Sequence, residues 1–108
     1  MLRNFKLVVF VPDSHLAELK QAIFSAGAGR LGNYDSCSWQ VLGEGQFQPL
    51  SGSTPYLGSK NKIEKVQEWR LETLVQEKAL KQVITALRTS HPYEEPAFDL
   101  MPLYDSKL

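Results

Sequence analysis

Phe5 to Val11 is apolar at almost every position and rich in β-branched and aromatic side chains. A strand covered on both faces has that pattern, so this segment is predicted as a central strand. Pro12 and Asp13 end it, and Asp13 or Ser14 can accept from the free amides of a following helix. Leu16, Leu19, Ile23 and Phe24 recur at helical spacing, and Gly27-Ala28-Gly29 supplies the left-handed turn that stops the helix. Cys37, Trp39 and Val41 then alternate with Ser36, Ser38 and Gln40. This is the period of a half-buried strand, with its apolar set expected to face the helices. Gly43-Glu44-Gly45 is expected to interrupt it as a tight turn or bulge, with Phe47 to Leu50 continuing as a short strand.

Residues 51 to 61, SGSTPYLGSKN, form a polar loop too long for a simple hairpin, which marks it as a carrier of function. A long strand is predicted from about Ile63 to Val75, with Trp69, Leu71, Thr73 and Val75 on one side. Leu80, Val83, Ile84 and Leu87 mark a second amphipathic helix. It stops at Ser90-His91-Pro92, because proline disfavours helix in the residue before it. Ala97 to Tyr104 reads as a last strand, and Pro102 places it at a sheet edge or chain exit. The order β-α-β-β-α-β is that of an α+β, ferredoxin-like sandwich: an antiparallel sheet with two helices on one face, in a single domain spanning residues 1–108.

Charge narrows the function classes. The chain has 12 basic and 12 acidic residues, so no net positive surface is available for phosphate neutralisation. Lys60, Lys62 and Lys65 cluster, but Glu64 and Glu68 interrupt them, and no nucleic-acid partner is expected. The apolar run at the N-terminal end is too short for a membrane span or a signal-peptide core. A single cysteine excludes an intrachain disulfide and suits a reducing compartment, so a cytoplasmic location is expected.

The residues offer little catalytic chemistry. Cys37 has no CxxC partner and is expected to be buried and inert. His15, in the first turn of a helix, is expected at the surface. Ser51, Ser53 and Thr54 lack the GxSxG elbow of a nucleophilic serine. Gly27-Ala28-Gly29-Arg30-Leu31-Gly32 matches G-x-G-x-x-G, yet it follows a helix and precedes a strand, the reverse of a dinucleotide fingerprint. His91-Pro92-Tyr93-Glu94-Glu95-Pro96 stands out most. An imidazole and two carboxylates can hold a divalent cation or move a proton, while the same residues also make a stiff, solvated helix-to-strand corner.

Four stretches carry a family resemblance: GAGRLGNYDSCSW (27–39), GEGQFQPLSGSTPYLGS (43–59), the strand around Val66 to Thr73, and HPYEEPAFDLMPL (91–103). They resemble the YqfO-type domain inserted in many bacterial members of the dinuclear-metal family named after NGG-one-interacting factor three. Some of that family carry a GTP cyclohydrolase type 2-like label. HPYE-x-P also looks like the corresponding corner of the CutA proteins, which share a ferredoxin-like core and form trimers. The family's metal ligands lie in flanking halves that this sequence does not contain, so none of them maps onto it.

The resemblance implies a non-catalytic binding or regulatory module. It also implies a homo-oligomer, a trimer by analogy with CutA, built through the open sheet face, the strand edges and Phe47 to Leu50. A ligand cleft is expected near His91 and the 51–61 loop, with Tyr34, Thr54, Tyr93 and Glu95 binding ligand. His91 and Glu94 are the residues that would hold a divalent metal, with no cofactor certain. The alternatives are a CutA-like metal-tolerance protein and a metal-dependent hydrolase-like enzyme with sites between subunits. His91 is expected beside the Gly32–Cys37 segment.

Overall fold

A computed structural model describes residues 3–104. Four strands and two helices follow in the order β1 (Asn4–Pro12), α1 (Asp13–Ser25), β2 (Ser38–Phe47), β3 (Glu64–Gln76), α2 (Leu80–Ser90) and β4 (Phe98–Leu103), with a 3-10 turn over Glu77–Ala79. The sheet order is β2-β3-β1-β4 and every neighbouring pair is antiparallel. This is the split βαβ arrangement the sequence pattern calls for. The continuously apolar β1 is central, and Pro102 lies on the edge strand β4.

Both helices pack on one face of the sheet and on each other. Leu7, Val9 and Val11 of β1 and Leu71 and Val75 of β3 meet Leu19 and Ile23 of α1 and Val83 and Leu87 of α2 in one buried core. Each fully covered aliphatic side chain contributes roughly 1.5–3 kcal/mol. Thr73, the polar residue in that row, donates from Oγ1 to the Cys37 carbonyl at 2.6 Å.

The turn after α1 depends on glycine. Gly29 has φ +81°, and a Cβ there would lie 2.9 Å from the Cys37 amide nitrogen and 3.0 Å from the Phe24 ring. Its N–H donates to Leu74 and its carbonyl accepts from Cys37, so residues 29–37 dock at the Thr73–Leu74 end of β3.

Five expectations change. Trp39 and Val41 face away from the helices and are 60% and 43% exposed. Register decides this: Ser38, Gln40 and Leu42 pair with Thr73, Leu71 and Trp69, so the alternate residues of β2 share the other face with Arg70 and Glu72. Gly43-Glu44-Gly45 does not interrupt the strand, because β2 pairs with β3 without a break from Ser38 to Phe47. The glycine at 45 instead leaves room for the Glu68 carboxylate, which a Cβ there would strike. Residues 48 to 50 lie outside the strand. Cys37 is half-buried just ahead of β2 rather than inside it. Neither Asp13 nor Ser14 caps α1: Asp13 Oδ1 accepts from Trp69 Nε1 at 2.8 Å, and Ser14 Oγ lies 2.8 Å from His15 Nδ1.

Candidate functional site

Beyond Glu68 the sheet narrows to two strands. β1 pairs with β3 only as far as Pro12 and Glu68, while β2 continues to Phe47 opposite Glu64. The ribbon of Gly43–Phe47 and Glu64–Glu68 therefore projects past the core. A two-stranded ribbon is marginal by itself, so its end needs other support.

The following loop supplies part of it by folding back. Asn61 donates its N–H to the Pro49 carbonyl at 2.6 Å, and Ser53 donates both N–H and hydroxyl to Leu50, at 2.9 and 2.6 Å. The loop is then pinned across the chain, because the Thr54 N–H donates to Glu94 Oε1 at 2.9 Å.

Glu94 belongs to the corner after α2. Pro92 turns His91 to an extended conformation, with φ −80° and ψ 135°. The imidazole turns inward and is 6% exposed. Its Nε2–H donates to the Phe10 carbonyl at 2.7 Å, while Nδ1 accepts from the Tyr93 N–H at 3.1 Å. These partners require the neutral ring protonated on Nε2. Burial lowers its pKa below the usual 6.5, aided weakly by His15 and opposed by the Phe10 hydrogen bond. His91 thus ties the corner to the end of β1. The Gly32–Cys37 segment docks at the opposite end of the sheet, so the expected pairing of these two motifs does not form.

Tyr93 links the parts. Its ring centroid is 4.9 Å from His91, 6.0 Å from Phe47 and 6.3 Å from Tyr56. Tyr56 in turn stands edge-on to His15 of α1, which is half-buried rather than free at the surface. The Tyr93 hydroxyl is buried and has no hydrogen-bonding protein partner among the described residues. Burial first, then the Glu68 carboxylate and Tyr56, hold the phenol protonated well above its ordinary range. Glu68 is near enough to act through its charge, but the hydroxyl falls short of hydrogen-bond geometry with it.

These elements enclose a groove of about 390 Å³ between the ribbon end, the folded-back loop and the 91–97 corner. Of the residues singled out in the sequence, Tyr93, Glu94 and Glu95 line it and Thr54 is hydrogen-bonded at its rim. Tyr34 does not join them: it is 75% exposed in the 31–34 turn, beyond the far end of β2. Phe47, expected in the assembly surface, and Tyr56 and Glu68 join the groove without being among the expected ligand residues. Tyr56 had a signal, an aromatic residue inside a polar loop, whereas Glu68 looked like one charge among several on a strand.

The donor set does not suit a metal within one chain. Both His91 nitrogens are committed to the backbone, one Glu94 oxygen holds Thr54, and Glu95 is exposed. Among the described residues no three His, Cys, Asp or Glu side chains gather as a metal site would need. No helix among them is long and apolar enough to cross a membrane.

No protein-family model matches the chain. A protein called GTP cyclohydrolase 1 type 2 homolog from Mycobacterium leprae is 47% identical over 98 residues, which is 91% of this chain and 26% of that protein. Its namesake from Halalkalibacterium halodurans is 46% identical over 99 residues, 92% of this chain and 27% of that one. The chain spans about a quarter of the length of the curated relatives it matches. A Bacillus cereus protein related to NIF3 superposes with a TM-score of 0.82 at 40% identity, covering 95% of this chain and 26% of that one. CutA1 from Shewanella sp. SIB1 superposes with a TM-score of 0.69 at 17% identity, covering 95% and 83%. The chain is thus homologous to a segment of NIF3-related proteins, and it shares the CutA fold.

Proposed function

We propose that the chain is a non-catalytic binding module that works as a homo-oligomer, a trimer in the manner of CutA, and takes its ligand in the groove beside Tyr93. The observation that carries this reading is convergence. A strand ribbon with its loop and a helix-to-strand corner, distant in sequence, are joined by the Thr54–Glu94 hydrogen bond around one aromatic-lined groove. The groove leaves the buried Tyr93 hydroxyl without a protein partner among the described residues, which a purely structural corner has no reason to tolerate.

The groove offers no set for covalent or acid–base chemistry. Among the described residues the Cys37 thiol reaches the Asp35 carbonyl and the Ser53 hydroxyl donates to the Leu50 carbonyl, and His91 is fully occupied by backbone. The relatives' name points to GTP, but the groove lining contains Glu68, Glu94 and Glu95 and no cationic side chain to meet a triphosphate.

Assembly belongs to the same reading. The helix-free face carries Trp39, Val41 and Met101 in the open, around a hollow of about 260 Å³ over Gly43 and Gly45. We infer that this face turns toward a common three-fold axis, where its apolar patch meets a different part of the neighbouring copy; such a head-to-tail contact closes a ring without fibre growth. A cytoplasmic location completes the proposal, since the free thiol of Cys37 suits a reducing compartment.

A thermal-shift screen of soluble metabolites tests the binding reading, run beside phosphorus NMR of GTP incubated with the protein and divalent metal. The expected result is at least one compound that raises the unfolding midpoint of the wild type and not of Tyr93→Ala, with GTP unchanged. A screen without any such compound, or turnover of GTP, would overturn it.

A further inference from the structure

We infer that the groove selects a small organic monocation, an amine or guanidinium carrying an apolar body. This deepens the binding reading above by naming the class of its ligand.

The charge of the lining comes first. Three carboxylates, Glu68, Glu94 and Glu95, line the groove with no lysine, arginine or histidine among the lining residues. None of the three takes part in an ion pair among the described residues. Glu94 uses one oxygen on the Thr54 amide and keeps the other. The lining itself therefore carries a local excess of negative charge, with Lys60, Lys62 and Lys65 of the adjoining loop and strand outside it.

The walls are the second observation, independent of the first. Phe47, Tyr56 and Tyr93 turn aromatic surface to the groove, with Pro49, Pro55 and Leu57 beside them. Aromatic faces attract cations and cover apolar bodies, and the volume of about 390 Å³ suits a ligand of one ring and a short chain.

The third is the polar floor. Tyr93 Oη is buried without a protein partner beside Glu68, and position 45 lacks the Cβ that would displace that carboxylate. An ammonium or guanidinium held beside that floor donates to the Glu68 carboxylate, the one charged group that reaches the buried phenol. An anion would meet three carboxylates, and a bare divalent ion would find no cluster of three donors among the described residues.

The test is an amide NMR titration of the whole chain with phenethylamine and benzamidine as cations, 3-phenylpropionate as the anion and benzyl alcohol as the neutral control. The expected result is saturable movement of the Thr54, Tyr56 and Tyr93 amides with both cations. Affinity should be about tenfold or more weaker for the anion. Glu68→Gln, which keeps the shape and whose spectrum reports its folding, should weaken the cations several-fold and leave benzyl alcohol unaffected. Equal or tighter binding of 3-phenylpropionate at these amides would overturn the cation class while leaving a binding groove. Cation affinity unchanged in E68Q would also overturn it. No movement with any probe at millimolar concentration would sink the class and count against the binding reading too.

Discussion

Trp69 and Trp39 sit on paired strands and face opposite ways. Trp69 looks toward the helices, packs against the core and donates its indole N–H to Asp13. Trp39, opposite Glu72, stands 60% exposed on the other face. On the Trp69 face the chain closes its own surface, with Leu19 and Ile23 of α1 and Val83 and Leu87 of α2 in the core that Trp69 packs against. Around Trp39 the neighbours are mixed: Lys6 and Arg70 both reach Glu72, at 3.5 and 3.0 Å, beside Val8 and Phe10 of β1. One face is finished within the chain, whereas the other combines apolar area with a charge network that fixes orientation. That is the division expected when stability is built on one face and recognition on the other.

The largest effect should come from the finished face. Leu71→Ala is expected to cost about 2–5 kcal/mol in a urea titration, because a fully covered side chain leaves a cavity between β3 and the helices. A loss under about 1 kcal/mol would break the contrast at its firmest point.

Gly45→Ala comes next, at up to about 1 kcal/mol, since the new methyl group meets only the far end of the Glu68 side chain, which must swing aside. Combining it with Glu68→Ala should recover most of the loss, which a double-mutant cycle measures.

pH should act through His91. Its ring binds fewer protons folded than unfolded, because burial disfavours the imidazolium, so stability rises with pH across this titration. The contribution is fully present above 6.5 and is lost as pH falls below 6.5 through the lowered folded value. Midpoints measured between neutral and mildly acid pH should show this fall, flattened in His91→Gln.

The smallest effects are expected outside the core. Tyr93→Phe should be neutral or stabilising by up to about 1 kcal/mol, because it removes a buried hydroxyl that has no protein partner. Trp39→Ala, measured at dilutions where chains are separate, should cost less than about 1 kcal/mol yet weaken association.

Much of this was legible in the chain. The unbroken apolar run of β1 placed it centrally, and the β3 row of Trp69, Leu71, Thr73 and Val75 is the helix-facing row observed. Alternation in β2 was also real, but period two reveals two faces without saying which one the helices cover. Period two alone therefore does not show that Trp39 and Val41 turn away from the helices. The glycines at 43 and 45 resembled a bulge, because nothing local to them shows that Glu68, on another strand, needs the space. Asp13 looked like a helix cap, and an indole brought in from β3 claims its carboxylate instead.

The site divides in the same way. Tyr93, Glu94 and Thr54 stood out in their own segments, yet the bond joining Thr54 to Glu94 spans 40 residues and could not be read from either. Tyr34 was grouped with them by motif, and the length of β2 keeps it away.

Size-exclusion chromatography with light scattering at micromolar concentration tests the unfinished face most directly. The expected result is three times the mass of one chain, falling to one in Trp39→Asp while the circular-dichroism spectrum is unchanged. A wild-type monomer at that concentration would contradict it.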